Sequence, residues 1–221
     1  MQGDITPRRA VALQRRLVER NRVEPFDGLP RLVGGVDVSC TRSGETLWGG
    51  IVICDRLCRC IVETQVVALP ARFPYVPGLL SFREIPVLLE AAARLKERPE
   101  LLLVDGQGRA HPRRLGIAVH LGWERDIHTV GCGKSRLVGE TRGQPGVKRG
   151  CRRLLYDRGE AVGVLLRTRS GVKPMWISPG HRMDIDSAAR IVMACTGRYR
   201  IPEPIRAAHR LVGEARRRGR M

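Results

Sequence analysis

The chain has 221 residues, with 40 Lys and Arg against 22 Asp and Glu, and a formal net charge of +18. Apolar residues make up 43%, enough over this length to bury a sizeable core, which excludes a disordered chain. No apolar run approaches the roughly 18 residues of a membrane span, and the start MQGDITPRRAVALQRR lacks the apolar stretch of a secretory signal, so a soluble, cytoplasmic protein is expected.

Residues 6–22 show helical periodicity, with Ala10, Leu13, Leu17 and Val18 on one face and six Arg around it. A strand follows over Arg31–Cys40, then β-rich runs near 46–54 and 60–68, joined closely enough for a meander. A Pro-rich loop, Leu69–Pro77, leads into a helix over about 79–96, with Pro86 near its first turns. Leu101-Leu-Leu-Val-Asp105 is a short continuous apolar strand of the kind buried at a sheet centre. A glycine loop, a helix over about 113–122 and a strand over 128–132 come next. Residues 141–173 are loop-rich, with nine Lys and Arg against two acids and a strand near 160–169. A strand at Met175 and helices over 184–197 and 203–218 complete the chain. The order predicts an α/β fold with a mixed sheet and extra basic segments at 6–22, about 141–160 and 203–221.

A charge of +18 speaks of partners and not of fold. Nucleic acid is the usual polyanion for a compact basic protein, and a membrane surface is the alternative. An Arg-rich composition set by a GC-rich genome also fits the excess of Arg. The seven Cys include the close group Cys54, Cys58 and Cys60, but no paired metal-binding spacing, so reduced, buried cysteines are expected.

Three acids stand out. Asp37 is inside the first strand, Asp105 ends the strand Leu-Leu-Leu-Val, and Glu84 lies near the start of the helix after the meander. A carboxylate in an apolar strand is costly unless it is paired or chelated. If the first and fourth strands are neighbours, the two Asp point at one spot. With Glu84 they make an oxygen set suited to Mg2+ or Mn2+. His111 lies six residues after Asp105, and Lys134 follows the 128–132 strand. Gly-Lys-Ser at 133–135 is no phosphate loop, because that pattern needs Gly at position 128, where His stands.

The blocks around these residues carry a resemblance. They are Val-Gly-Gly-Val-Asp-Val-Ser (33–39), Phe-Pro-Tyr-Val-Pro-Gly-Leu-Leu-Ser-Phe-Arg-Glu (73–84) and Leu-Leu-Val-Asp-Gly-Gln-Gly-Arg-Ala-His-Pro-Arg-Arg-Leu-Gly-Ile-Ala-Val-His-Leu-Gly (102–122). Thr-Val-Gly-Cys-Gly-Lys-Ser (129–135), Lys-Pro-Met-Trp-Ile-Ser-Pro-Gly-His-Arg (173–182) and Arg-Ile-Pro-Glu-Pro-Ile-Arg-Ala-Ala-His (200–209) continue the series. In this order the chain resembles the endonuclease V family over nearly its whole length.

The resemblance implies a ribonuclease H-like fold in one domain, residues 1–221, and a monomeric Mg2+-dependent nuclease of DNA repair, with Mn2+ able to substitute. It implies recognition of hypoxanthine in DNA containing deoxyinosine, with inosine-containing RNA as a second substrate. Cleavage is implied at the second phosphodiester bond 3′ to the lesion, leaving 3′-OH and 5′-phosphate. Asp37, Glu84, Asp105 and His209 match the family's metal site. His209 would otherwise read as a surface residue of a basic helix. Lys134 matches the active-site lysine, and His111 the histidine near the scissile strand. Pro74, Tyr75, Val76 and Pro77 match a wedge that fills the gap left by a flipped base, and Gly78, Leu80 and Gly106 match the pocket for that base. A non-catalytic nucleic-acid module, or another ribonuclease H-like nuclease, are the rival readings. The first needs a lost metal ligand and the second would lack the 73–84 block.

Overall fold

A computed structural model describes residues 5–55 and 60–219 of the chain; Cys58 lies outside them. The described residues build one nine-stranded mixed sheet, in the order β3-β2-β1-β4-β5-β9-β8-β7-β6. The meander of β1 (Leu32–Cys40), β2 (Thr46–Asp55) and β3 (Ile61–Pro70) is antiparallel. Next to it, β4 (Leu101–Val104) runs parallel to β1, and β5 (His128–Gly133) parallel to β4. The other half is antiparallel: β9 (Met175–Pro179) pairs with β5, then β8 (Glu160–Leu166), β7 (Arg152–Asp157) and β6 (Glu140–Thr141). With helices on both faces, this is the ribonuclease H-like arrangement expected from the sequence.

The strand alternation divides the core. Val33, Leu101, Leu103 and Val130 face α4 (Ile185–Ala194) and the start of α5 (Glu203–Arg218). Val36, Leu102 and Val104 point the other way, onto α2 (Leu80–Ala93) and α3 (Ile117–Arg125). On that second side, α1 (Pro7–Glu19) lays Ala10 against Phe73, Leu79 and Phe82, and Leu17 against Leu115 and Val119. The basic N-terminal helix is therefore part of the packed body. No helix among the described residues is long and apolar enough to cross a membrane.

Two close approaches decide where α5 sits. A Cβ on Gly35 of β1 would lie 2.0 Å from the backbone of Pro204, and one on Gly50 of β2 would lie 2.5 Å from Val212. Both glycines are needed for helix backbone to rest directly on the sheet.

Several elements depart from the sequence expectations. The helix expected over 79–96 ends at Ala93, and Pro86 lies in its interior. A mid-helix proline costs about 3 kcal/mol, but Ile85, Val87, Leu88, Ala91 and Ala92 are buried around it and offset that cost. The helix expected from 113 starts at Ile117, because Arg114 adopts φ 59° and the backbone still turns through Gly116. Within the 141–173 segment, expected to be loop-rich, six residues form the strand β7, joined to β8 by a turn with φ 55° at Arg158 and 80° at Gly159. Its exposed Arg152, Arg153 and Leu154 hide the alternation that marks a strand. Among the described residues the buried-cysteine expectation holds for Cys54, Cys132 and Cys195, and Cys151 is half-buried. Cys40 and Cys60 are exposed, at the end of β1 and just before the edge strand β3.

Candidate metal centre and nucleic-acid cleft

The parallel register Val33–Leu101 to Val36–Val104 leaves Asp37 and Asp105 as the next residues on adjacent strands, and the Asp105 N–H still donates to the Val36 carbonyl at 3.0 Å. Neighbouring strands lie about 4.8 Å apart, so the two carboxylates stand side by side. Over them, α5 brings His209, whose Nδ1 is 2.7 Å from Asp37 Oδ2. One donor atom each from Asp37, Asp105 and His209 lies within 4.8 Å of the others. Glu84 of α2 shares a cavity of about 210 Å3 with Asp37, Asp105 and Leu80.

This cluster carries more negative charge than its protein partners neutralise. Burial raises the Asp37 carboxyl above its usual range, and the neighbouring Asp105 adds to the rise, against the bond from His209 and the charge of Lys134. Burial, with Asp37 and Asp105 nearby, pushes Glu84 up to about 8. Lys134 forms an ion pair with Asp105. Two clustered carboxylates and one imidazole, with the Glu84 carboxyl in the adjoining cavity, are a donor set that a hard divalent cation stabilises.

A cleft of about 530 Å3 opens from the same carboxylates and is lined by Lys134, His209, Arg210, Arg216 and Arg217. The His209 side chain is 68% exposed and faces this space while it holds Asp37. An acidic floor under basic walls suits a phosphodiester backbone. A larger cleft, of about 840 Å3, lies at the β6–β7 edge and contains none of these acids.

The loop before α2 presents Tyr75 at 70% exposure between the exposed Pro74 and Pro77. Val76 turns inward against the Phe73, Leu79 and Phe82 cluster, and the Leu79 N–H closes the turn on the Val76 carbonyl at 2.9 Å. Arg83 donates to the Phe73 carbonyl at 2.7 Å and to that of Gly44, so the base of the loop is tied to the β1–β2 connection. Gly78 has φ 76°, and a Cβ there would meet Arg113 Nη2 at 2.8 Å. Gly106 follows Asp105, and a Cβ on it would lie 2.5 Å from Ile117.

His111 is not brought into the carboxylate cluster. It is buried, its Nδ1 accepts from the Arg113 N–H at 3.2 Å, and its Nε2 lies 3.1 Å from the Gly78 carbonyl. That pattern makes it a neutral ring with the proton on Nε2. Burial, together with Arg113, lowers its pKa to about 4 from the ordinary 6.5. The unfolded chain therefore takes up this proton first. The stability that this ring contributes is complete above pH 6.5 and is lost as pH falls toward 4. The loss is expected to reach about 3 kcal/mol. Unfolding curves at pH 7 and pH 4.5 should differ less in a His111→Gln protein than in the wild type; equal differences would show that His111 does not set this slope.

The sequence did not point to Gln14 or Arg200. Gln14 is fully buried on the inner face of α1, one turn from Ala10, where its polarity breaks an apolar stripe. Arg200 donates to the Lys134 carbonyl at 3.0 Å and to that of Pro174 at 2.9 Å, holding the strand end that carries the lysine. Nothing local in the sequence marks that contact, because the partners are 66 positions apart.

Known proteins share this architecture. A family model described as Endonuclease V matches residues 12–210. An Endonuclease V of Myxococcus xanthus is 46% identical over 215 residues, which cover 97% of this chain and 91% of that relative. One of Alkalilimnicola ehrlichii is 50% identical over 182 residues, covering 82% of this chain and 80% of that relative. The crystal structure of Endonuclease V from Streptomyces avermitilis superposes with a TM-score of 0.93 at 38% identity, over 98% of this chain and 95% of that one. Ciona intestinalis Endonuclease V, solved with a 23mer DNA containing an inosine followed by a ribo-adenosine, superposes with a TM-score of 0.82 at 26% identity, over 96% of this chain and 98% of that one.

Proposed function

The chain belongs to the endonuclease V family, and from that premise we propose that it is a divalent-metal-dependent nuclease of DNA repair that cuts strands containing a deaminated purine. The substrate is DNA with deoxyinosine, and inosine-containing RNA is the second candidate. The cut falls at the second phosphodiester bond 3′ to the lesion and leaves 3′-OH and 5′-phosphate. The observation that carries this reading is the meeting of Asp37, Asp105 and His209 on the floor of a basic cleft, with Glu84 in the adjoining cavity that the same two aspartates line. A non-catalytic module would have no use for a fourfold set of competent ligands.

Asp37, Asp105, Glu84 and His209 would hold the cation, with Mg2+ favoured by the carboxylate-rich set and Mn2+ as a substitute. When bound there, it supplies Lewis-acid activation of the phosphate and of the attacking water. His209 fixes the orientation of Asp37 through the 2.7 Å contact. Lys134, beside Asp105, offers a positive charge to a phosphate oxygen in the cleft. His111 acts through Gly78 and holds the loop, so its role is positioning.

Pro74, Tyr75, Val76 and Pro77 form the wedge, and Gly78, Leu80 and Gly106 border the pocket for the displaced base. Base–aromatic stacking is worth about 1–3 kcal/mol, so Tyr75→Ala is expected to slow cleavage of duplex inosine substrates about ten-fold. Single-stranded substrates should lose less, because no stack has to be opened. Rates on the two substrates, measured side by side, test this; equal losses would count against a wedge. The reading as a whole is tested by cleavage of inosine-containing against undamaged strands, with and without Mg2+. Cleavage without any divalent ion, or of both strands alike, would overturn it.

A further inference from the structure

The carbonyl of Gly78 is the meeting point of three donors from two other parts of the chain. Gln14 Nε2 lies 3.0 Å from it, Arg113 Nη2 2.7 Å and His111 Nε2 3.1 Å. A carbonyl oxygen offers two lone pairs, so this one is saturated. Gln14 is the centre of the network. Its amide also donates to the Leu115 carbonyl at 3.4 Å, and its Oε1 accepts from Arg113 Nε. One fully buried amide thereby joins α1, the loop ahead of α2 and the turn ahead of α3.

The surroundings make this placement costly. Leu13, Leu17, Leu115 and Val119 form an apolar cluster on the same helix face. An aliphatic side chain would fill the position with no polar group to satisfy. The amide gains geometry instead, because a fully bonded buried network admits one arrangement. The arrangement it selects is that of Gly78, held at φ 76° directly after the exposed Pro74–Pro77 segment.

We propose that Gln14 is a positioning residue for lesion recognition. Through Gly78 it sets the height of the Tyr75 loop relative to the carboxylate floor. The inference rests on the reading of residues 74–78 as the part that engages the lesion. A displacement of about 1 Å in a positioning element can cost up to a hundred-fold in rate, and here the loss should fall on recognition and not on the cut.

The test compares wild type, Gln14→Met and Gln14→Glu with Mg2+ on duplex strands with and without inosine. Met keeps the volume and removes every bond. Glu keeps the acceptor for Arg113 and removes the donor to Gly78. For both variants KM on the inosine duplex is expected to rise about ten-fold with kcat within about two-fold, and the preference for inosine to narrow by a similar factor. If Gln14→Met does not fold, Gln14→Glu is read alone. A wild type that discriminates, with variants that discriminate as well, overturns the inference and leaves the function standing. A fall in kcat at unchanged KM, in proportion to the folded fraction, overturns it too and makes Gln14 structural only. A wild type that cuts both strands alike overturns the proposed function, and this inference with it.

Discussion

An Asp37→Ala or Asp105→Ala protein is expected to lose cleavage of an inosine-containing strand by about a thousand-fold or more, because each change removes a proposed metal ligand and, on that reading, the main charge stabilisation of the reacting phosphate. Binding should survive. Asp37 and Asp105 stand side by side in the cleft, and burial, with these two carboxylates nearby, holds Glu84 up near 8. Removal of one carboxylate lowers the repulsion toward a phosphate backbone, while Lys134, Arg210, Arg216 and Arg217 keep their charges. Single-turnover rates and fluorescence anisotropy on the same substrate separate the two effects. Near wild-type cleavage in either variant would overturn the assignment. Asp37→Asn should also raise the melting temperature, since burial and Asp105 disfavour its charge in the folded state.

The second large effect is expected where α5 packs on β1. Gly35→Ala places a methyl group 2.0 Å from the carbonyl of Pro204 and 2.6 Å from the nitrogen of Ile205. Backbone on a helix start cannot rotate aside as a side chain can, so α5 has to lift from the sheet. Overpacking of a core costs typically 1–3 kcal/mol and sometimes more, and a fall in Tm of about 5–10 °C is expected for a chain of this size. Lifting α5 also draws His209 from Asp37, so cleavage should fall by at least about ten-fold in the surviving folded protein. Gly213→Ala, in the same helix, is the control. Its new Cβ meets nothing nearer than 3.7 Å, and an alanine there should stabilise the helix by about 0.5–1 kcal/mol. Thermal melts of the two variants test the contrast; a Gly35→Ala protein as stable as Gly213→Ala would refute the close-packing account.

The sequence by itself determined the features that depend on local spacing. An acid inside Val-Gly-Gly-Val-Asp and another at the end of Leu-Leu-Leu-Val mark two strands whose buried faces carry charge, and those strands are neighbours as expected. The meander, the helix that carries Glu84 and the C-terminal helix follow from periodicities of two and of about 3.6. The Pro74–Pro77 loop is legible for the same reason, since proline restricts its own backbone. Pairing over long distances was decided elsewhere. The register that puts Asp37 level with Asp105 is a property of two strands 60 and more positions apart, and a shift of one residue would have turned the acids to opposite faces. His209 looks like one more polar residue on a basic helix until Gly35 and Gly50 let α5 rest on the sheet and carry it to Asp37. Gln14 looks like an interruption of an apolar stripe until the fold brings Gly78, Leu115 and Arg113 around it. His111, close in sequence to the strand that ends at Asp105, is turned away to hold that same glycine. In each case the residue type is visible in the chain, but its partner is chosen by tertiary packing, because the free energy of a buried polar contact depends on which atoms surround it and not on how near they lie in sequence.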